Sequence, residues 1–286
     1  MRHILVGQAL ARYRVRPTGR TRMAEVVPSF DVSIPDIRKV ELERPWQWLA
    51  AGWRDLVRTP ALSLAFGVVF AVVGYAITLG LWLADLVYLI LPLASGFVIM
   101  GPVLAIGLYE ISRRQASGEP VSLAVALSYF QRNPRQIAVM SFILLLLLLT
   151  WVRLAAMIFM LYWGLEPPSF EDLVVNTFLR PESLPFLVMG TAAGAVFAAI
   201  AYAISVVSIP MLLDQPQVDV ITAIVTSVRV VRENPKPMLF WAVLIAGFVG
   251  AGLITLYLGL IVTLPLIGHA TWHAYKDLVI LPKVAE

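Results

Sequence analysis

The stretch His269-Ala-Thr-Trp-His273 places two histidines four residues apart near the end of the chain. On an α-helix these positions share one face, so two imidazoles there could bind a metal ion or a heme iron. Glu110 stands at the matching place in another apolar run and is a candidate third ligand. The spacing equally suits two amphipathic side chains at a membrane interface beside Trp272. The site is therefore a candidate only, and the sequence predicts no cofactor.

Arg153 is a basic residue inside an apolar run. A charge within a membrane span is a functional hypothesis whose partner should be named. Counted along a helix from Pro134, it lies about 28 Å in, near the far edge of a hydrocarbon layer of ~30 Å. Asp85 lies at a similar depth, so we predict an Arg153–Asp85 pair, or a pair of Arg153 with Glu166. The alternative is snorkelling of the guanidinium to the outer headgroups.

The composition defines the setting of these residues. Of the 286 residues, 59% are hydrophobic and 14% are charged, against about 45–50% and 25% in soluble domains. This indicates an integral membrane protein. The chain has no cysteine, which excludes disulfides, iron–sulfur clusters and cysteine-ligated zinc. No nucleotide-binding fingerprint or catalytic triad is visible, and no basic folded domain is available for nucleic acid.

Six apolar runs are long enough to cross a bilayer, which needs about 20 residues per helix. They are Ala61–Ala84, Leu86–Glu110, Ile137–Trp163, Pro185–Leu213, Met238–Tyr257 and Leu258–Ala274. Asp85 marks the turn of the first pair and Gly259 that of the last. Eleven of the 22 Lys and Arg residues precede Ala61, whereas the loop after Trp163 is acidic. The positive-inside rule then predicts a multi-pass protein of the bacterial inner membrane with both termini in the cytoplasm.

A charged stretch that ends in Pro stands before three of the runs, at Pro60, Pro134 and Pro235. An amphipathic stretch of about 14 residues precedes each Pro and is too short to span a membrane. Because the residue before Pro avoids the helical region and Pro favours a helix start, each site predicts a corner between an interfacial helix and a spanning helix. Three side chains are predicted to cap the spanning helices: Thr59, Asn133 and Asn234.

The predicted fold is therefore all-α: six transmembrane helices in three hairpins, each hairpin preceded by an amphipathic interfacial helix. The repeat units are about 45–112, 119–213 and 217–279, together forming a single transmembrane domain over 45–279. A basic tail, partly disordered, occupies 1–44, and a short cytoplasmic tail occupies 280–286. The first 22 residues form either a tail on anionic lipid or a segment before the true start at Met23.

Several residues have predicted structural roles. Anchoring at the cytoplasmic face is assigned to aromatic and basic side chains, which suit the headgroup region; they are Trp46, Trp53, Tyr109, Arg113 and Arg114. Helix packing is assigned to small residues at four-residue spacing, which let helices approach closely; they are Gly190, Gly194 and Gly247. The expected surroundings are the bilayer and its anionic lipids.

Four stretches of this chain resemble one family: GPVLAIGLYEISRRQASGEPVSLAVAL (101–127), TWVRLAAMIFMLYWG (150–164), residues 203–238, and LPLIGHATWHAYKDLV (264–279). The family is an uncharacterised bacterial six-span membrane family catalogued as a domain of unknown function, number 2189. The resemblance runs from about residue 35 to the C-terminus and implies a membrane protein without an assigned activity. Some members are automatically labelled as a cytochrome c oxidase subunit, but three histidines are too few for a heme–copper catalytic subunit.

Three functions are open at this stage. With few polar groups in the spans, we expect a non-catalytic accessory, assembly or scaffold component of a membrane complex, a respiratory one if the label is followed. Its partners would be complex subunits or further copies of the chain. The alternative is a transporter of a small molecule, an ion or a lipid, because repeats and Pro-broken helices are common in transporters. A metal- or heme-binding protein using His269 and His273 is the third.

Overall fold

The computed structural model describes residues 34–122, 132–164 and 180–281. These residues are mostly helical, so the predicted all-α class is confirmed. The helices are α1 (Arg44–Arg58), α2 (Pro60–Leu83), α3 (Ile90–Leu104), α4 (Ile106–Ser117), α5 (Pro134–Trp163), α6 (Leu184–Ser205), α7 (Ser208–Asp214), α8 (Val220–Glu233), α9 (Pro235–Ile254) and α10 (Leu260–Leu278). Two 3-10 turns, Val87–Leu89 and Pro181–Ser183, precede α3 and α6.

Five helical segments of the described chain are long and apolar enough to cross a membrane. They are Pro60–Leu83, Val87–Ser117, Pro134–Trp163, Pro181–Asp214 and Pro235–Ile254. The sixth predicted run also forms a helix, α10, but it is not among the five. The reason is its second half, HATWHAYKDL, which carries two histidines, a lysine and an aspartate. Much of this polar half is buried inside the protein.

Three sharp corners in the backbone precede α2, α5 and α9. The corner residues share one conformation, with φ between −149° and −126° and ψ between 53° and 60°; they are Thr59, Asn133 and Asn234. The next residue is in each case the Pro that begins the apolar helix, so the three predicted helix starts are confirmed. The first and third corners end the amphipathic helices α1 and α8. The second predicted amphipathic helix falls largely on residues 123–131, outside the described ranges.

The corner side chains do not cap the helices they precede, which corrects the prediction. A capping residue reaches the first turn from the β region of backbone space, and the corner residues lie outside it. Asp219 shows the contrast: with ψ at 164°, it accepts bonds from the Ile221 and Thr222 amides at 2.8 and 2.9 Å. Asp219 is thus the cap of α8.

Two corner side chains instead connect distant parts of the chain. Asn234 accepts a hydrogen bond from the Val40 amide at 2.9 Å and donates to the Arg38 carbonyl at 3.1 Å. Asn133 donates to the Val218 carbonyl at 3.1 Å. The bonded segments lie just before the amphipathic helices α1 and α8. The corners therefore gather at one end of the bundle, which we call the corner end.

The turns at the opposite end of the bundle lie at the predicted positions, but the last turn is not formed by the glycine that the sequence assigned to it. Asp85 has a φ of 57° in the turn after α2. After α9, the left-handed residues are Leu256 and Tyr257, with φ of 52° and 65°. Gly259 has an ordinary φ of −64° and serves another purpose: a Cβ there would lie 2.5 Å from Thr255 Oγ1. A close approach, rather than the turn conformation, requires this glycine.

Two inner helices are broken near the corner end. The helix that begins as α3 breaks at Ala105 before α4, and the one that begins as α6 breaks at Val206 and Val207 before α7. Each break has a Pro within four residues, Pro102 and Pro210, and Pro removes a helical hydrogen bond. The Val207 amide donates instead to the Ser227 hydroxyl at 3.4 Å.

The described N-terminal segment and the last helix meet at the corner end. β1 (Asp36–Ile37) pairs antiparallel with β2 (Val279–Ile280), and α1 packs along α10. This places residues 34–43 in the fold, although the sequence assigned them to the basic tail. The four largest fully buried side chains of the described residues lie on α4, α9 and α10 in this half of the molecule; they are Trp241, Trp272, Tyr109 and Tyr275.

Candidate functional site

A cluster of polar side chains lies inside the corner end, where α1, α2, α4 and α10 meet. Its members, which we call the polar cluster, are Asp55, Ser63, Ser112, His269 and His273. The two serines and His269 are fully buried, and Asp55 is 4% exposed. His273 is partly exposed and lies at the edge.

Glycines allow the helices to meet this closely. A Cβ on Gly52 of α1 would lie 2.6 Å from the backbone nitrogen of Ala270, and one on Gly67 of α2 would lie 2.3 Å from the Ile261 carbonyl oxygen. Such distances are closer than atoms can pack. Both helices therefore lie against the backbone of α10, and their polar side chains reach its histidines.

The hydrogen bonds of the cluster have one consistent direction. Asp55 Oδ2 accepts from the Ser112 hydroxyl at 2.7 Å and from His273 Nε2 at 2.7 Å. Since the single proton of Ser112 goes to this carboxylate, its oxygen must accept from His269 Nδ1, 2.8 Å away. His269 Nε2 then accepts from the Ser63 hydroxyl at 2.9 Å. His269 is therefore neutral, with its proton on Nδ1.

The cluster continues to the first corner. Thr59 Oγ1 lies 3.3 Å from Ser63 Oγ and accepts a bond from Gln115 Nε2 at 2.9 Å. Gln115 also donates to the Asp55 carbonyl at 3.1 Å. The corner between α1 and α2 is thereby bound to the end of α4.

Asp55 carries the negative charge of the cluster. Burial alone would raise the pKa of its carboxyl, but hydrogen bonds from His273 and Ser112 outweigh burial and hold the pKa below its ordinary value. A buried carboxylate that accepts two short bonds is stabilised in its charged form. Asp55 is thus an anion that holds three helices together.

This geometry differs from that of a nucleophilic site. A catalytic serine needs a histidine that accepts its proton and a path for substrate to its oxygen. Here His269 donates to Ser112, and that serine donates to a carboxylate. His269 does accept a hydrogen bond from Ser63, but both serine hydroxyls are fully buried, so neither is open to a substrate. The arrangement is that of a clamp between helices.

The proposed metal ligands are not brought together. Both Glu110 oxygens accept bonds from arginines, with distances of 2.8 and 2.9 Å to Arg113 and 2.6 Å to Arg114. His269 has a serine hydroxyl on each ring nitrogen, and His273 faces Asp55. Within the described ranges, no three acidic or histidine side chains are placed to hold a metal ion.

The predicted pair of Arg153 with Asp85 is not formed. Trp151 lies on the buried face of α5, and Arg153 is two residues further, about 200° around the helix, on the exposed face. Among the described residues it has no ion pair, and Asp85 is likewise exposed in its turn. The other candidate partner, Glu166, lies outside the described residues.

The predicted anchoring residues divide into two groups. Trp46 and Trp53 are about half exposed on α1. Tyr109 and Arg113 are buried, because α4 is covered by α7 and α10, and Arg114 is committed to the ion pair with the acid of its own helix. Of the five predicted anchoring residues, only the two tryptophans are therefore exposed side chains without another partner of this kind.

The predicted packing glycines also divide. A Cβ on Gly194 would lie 3.0 Å from the Trp151 ring, so this glycine does allow a close approach of α5. Gly190 and Gly247 have no atom within 4 Å of such a Cβ. Gly190 faces a cavity between α3, α5, α6 and α9, and Gly247 is exposed.

A cavity of about 530 Å³, which we call the span cavity, lies between α3, α5, α6 and α9. Small residues form much of its wall, among them Gly190, Gly194, Ala195, Ala198, Ala246 and Gly250. Its described lining contains no charged residue. Two of its four polar side chains are bonded within the protein, since Trp151 Nε1 donates to the Pro92 carbonyl at 3.0 Å and lies 3.2 Å from the Ser95 hydroxyl; the other two are Tyr88 and Thr191. The wall therefore presents mainly carbon.

A smaller space of about 70 Å³, the deep cavity, adjoins the first and shares Val98, Ala198 and Val249 with it. Both helix breaks line it, through Ala105 and Val206. Along α6 the two linings run from Phe186 to Ser205, about 29 Å at 1.5 Å per residue. Together the cavities are comparable in length to a hydrocarbon layer.

Apolar helices around a carbon-lined cavity define this chain as a multi-pass integral membrane protein. A family model described as "Predicted integral membrane protein (DUF2189)" matches residues 90–214, from α3 to α7. The resemblance expected from the sequence is confirmed over this segment. No curated protein and no solved structure matches the chain.

Proposed function

We propose that the protein binds the hydrocarbon chain of a membrane lipid in the span cavity, and that it acts as a lipid-binding or lipid-moving component of the membrane. The main observation in support of lipid binding is the span cavity itself. Its volume of about 530 Å³ lies in the range of about 300–1,000 Å³ that is usual for small-molecule sites. This proposal develops the lipid form of the transporter alternative.

The chemistry of the wall favours an apolar occupant over an ion or a polar solute. An ion entering the cavity would lose its water shell and would meet no described charge in return. A hydrocarbon chain needs no polar contact and fits an elongated space. Lipid is also the molecule that surrounds a membrane protein at the highest concentration.

The helix breaks, which line the adjoining deep cavity, are a second observation that favours transport. Interrupted helices in corresponding positions of repeated units often mark the site of a transporter. Both breaks here, at Ala105 and at Val206–Val207, line the deep cavity. They supply points where the floor of the cavity can change shape.

The remaining features of the proposal rest on the sequence. We assign six spans, with α10 as the sixth, in three hairpins, and both termini to the cytoplasmic side of the bacterial inner membrane. The corner end would then be cytoplasmic, in agreement with the distribution of Lys and Arg. A non-catalytic accessory or assembly role stays a prediction, and it differs in its outcome: purified protein would hold partner subunits and no lipid.

The test is photolabelling in nanodiscs with a phospholipid that carries a diazirine at the end of one acyl chain. We expect labelled peptides from α3 and α6 in the wild-type protein. Gly190→Leu together with Gly250→Leu adds two side chains to the cavity wall, at positions where a Cβ would have no heavy atom within 4 Å. Labelling of these peptides should fall several-fold in this variant.

Gly247→Leu is the matched control. Gly247 also has open space around it, but it lies outside the cavity lining. Equal labelling in the wild type, the control and the filled variant would mean that lipid contacts only the outer surface, and the proposed function would be wrong.

A further inference from the structure

Helix α1 has three distinct sides. One side is buried against α10 and includes Trp48, Gly52 and Asp55. A second side is apolar yet exposed, and consists of residues spaced i, i+4, i+7 and i+11; they are Trp46, Ala50, Trp53 and Val57. The first, third and fourth of these are 53%, 50% and 55% exposed. The third side is polar and exposed; it carries Gln47, Arg54 and Arg58.

The apolar exposed side, which we call the α1 stripe, is continuous with the surface of a predicted span. The Trp46 ring lies 5.6 Å from the Phe240 ring of α9 in an edge-to-face contact. On either side of this phenylalanine, Leu239 and Val243 are 67% and 59% exposed. These two side chains belong to a helix apolar enough to cross the membrane, so the stripe extends a lipid-facing surface.

The polar side of α1 carries two unpaired charges. Arg54 and Arg58 are exposed and form no ion pair with any residue that the structure describes. Arg44 of the same helix differs, since it binds Asp277 at 2.6 Å. On a helical projection the two arginines lie about 80° to 120° from the stripe. They are therefore beside the apolar side and not opposite it.

We propose that α1 lies along the membrane surface, with the α1 stripe in the acyl boundary and with Arg54 and Arg58 bound to the phosphates of anionic phospholipids. One side of α1 is buried in the protein, one is apolar and one is cationic. All three sides have favourable surroundings only where protein, hydrocarbon and water meet. Tryptophan and arginine are the residues that favour this zone. The surface is independent of the span cavity and stands even if that cavity binds nothing.

The absence of cysteine allows a direct test with single nitroxide labels on the full chain in bilayers. Labels are placed by Ala50→Cys, Trp53→Cys and Val57→Cys on the stripe, and by Gln47→Cys and Arg54→Cys on the polar side. Collisions with oxygen, which dissolves in lipid, should peak on the stripe. Collisions with a water-soluble nickel complex should peak on the polar side.

Two outcomes would overturn the proposal. Equal nickel accessibility on both sides would place α1 in water, and low accessibility to both reagents on the stripe would mean that another protein surface covers it. Ala50→Cys replaces a small side chain, so its result stands even if loss of a tryptophan disturbs the fold.

The anionic partner is tested by comparing spin-labelled phosphatidylglycerol with phosphatidylcholine around the reconstituted protein. Arg54→Gln with Arg58→Gln should lower the preference for the anionic lipid at least about twofold, since each basic residue near such a surface attracts it. Gln47→Ala on the same side of α1 changes no charge and should leave the preference unchanged. An unchanged preference in the double variant would refute the phosphate contact.

Discussion

The role of Asp55 as an anionic clamp leads to a quantitative prediction for Asp55→Asn. The substitution keeps the shape of the side chain and one acceptor oxygen, but it removes the charge that binds Ser112 and His273. Hydrogen bonds to a charged group contribute about 1.5–3 kcal/mol each, and the amide retains part of each bond. We therefore expect the free energy of unfolding to fall by roughly 2–3 kcal/mol at neutral pH.

The pH dependence of this loss follows from the lowered pKa of Asp55. A carboxyl whose pKa is lower in the folded protein adds stability above the unfolded pKa, ordinarily 3.8, and that stability is lost as the pH falls through the folded value. The difference between wild type and Asp55→Asn should therefore be constant above about pH 5 and should shrink below the ordinary pKa.

The assay is reversible unfolding in mixed micelles, followed by circular dichroism at several pH values. Asp85→Asn is the control: Asp85 is exposed, and Asn adopts its left-handed backbone equally well. It should change stability by less than about 0.5 kcal/mol. A loss for Asp55→Asn that is equally small, or that persists unchanged at pH 3, would refute the clamp.

Two further substitutions test the contacts that bring the helices together. Gly67→Ala should destabilise the protein by about 1–3 kcal/mol, because its Cβ would overlap the Ile261 carbonyl. Gly80→Ala in the same helix meets no atom within 4 Å and should be neutral or stabilising in the same unfolding assay. Asn234→Ala should lower the free energy of unfolding by about 1–2 kcal/mol. It should also speed hydrogen exchange of the Val40 amide, which loses its acceptor. Unchanged exchange would show that the bond from Asn234 does not hold this segment.

The helices and their starts could be predicted because their signals are local. Hydropathy marks each apolar run within about 20 residues, and Pro marks the first turn of α2, α5 and α9 by its fixed φ and missing amide. The cap at Asp219 is equally local, since a side chain bonds amides two and three residues away. These features need no knowledge of the rest of the fold.

The polar cluster could not be found this way because its members are far apart in sequence. Ser112 lies 57 residues from Asp55 and 157 from His269. The histidine spacing predicted a shared face correctly but not what the face would meet. One signal was present: Asp55 lies among apolar residues on the inner side of α1, where an unpaired acid would be costly.

Glycine patterns were similarly ambiguous. Spacing alone suggested close packing at Gly190 and Gly247, yet both have open space around them. Of the glycines that lie against another backbone, Gly52 belongs to no four-residue motif, whereas Gly67 stands between Ser63 and Ala71 at four-residue spacing. Whether a glycine makes a contact or a void depends on the partner helix, which periodicity does not specify.

The contact of α1 with α10 has a consequence for the order of assembly. His273 follows Asp55 by 218 residues, so at about 5–20 residues per second the ribosome needs roughly 10 to 40 s to supply it. Throughout that interval the inner side of α1 lacks α10, the helix that covers most of it, while the α1 stripe can already rest on lipid. Helix α1 therefore lies on the bilayer until α10 is made, and the clamp can close only after that.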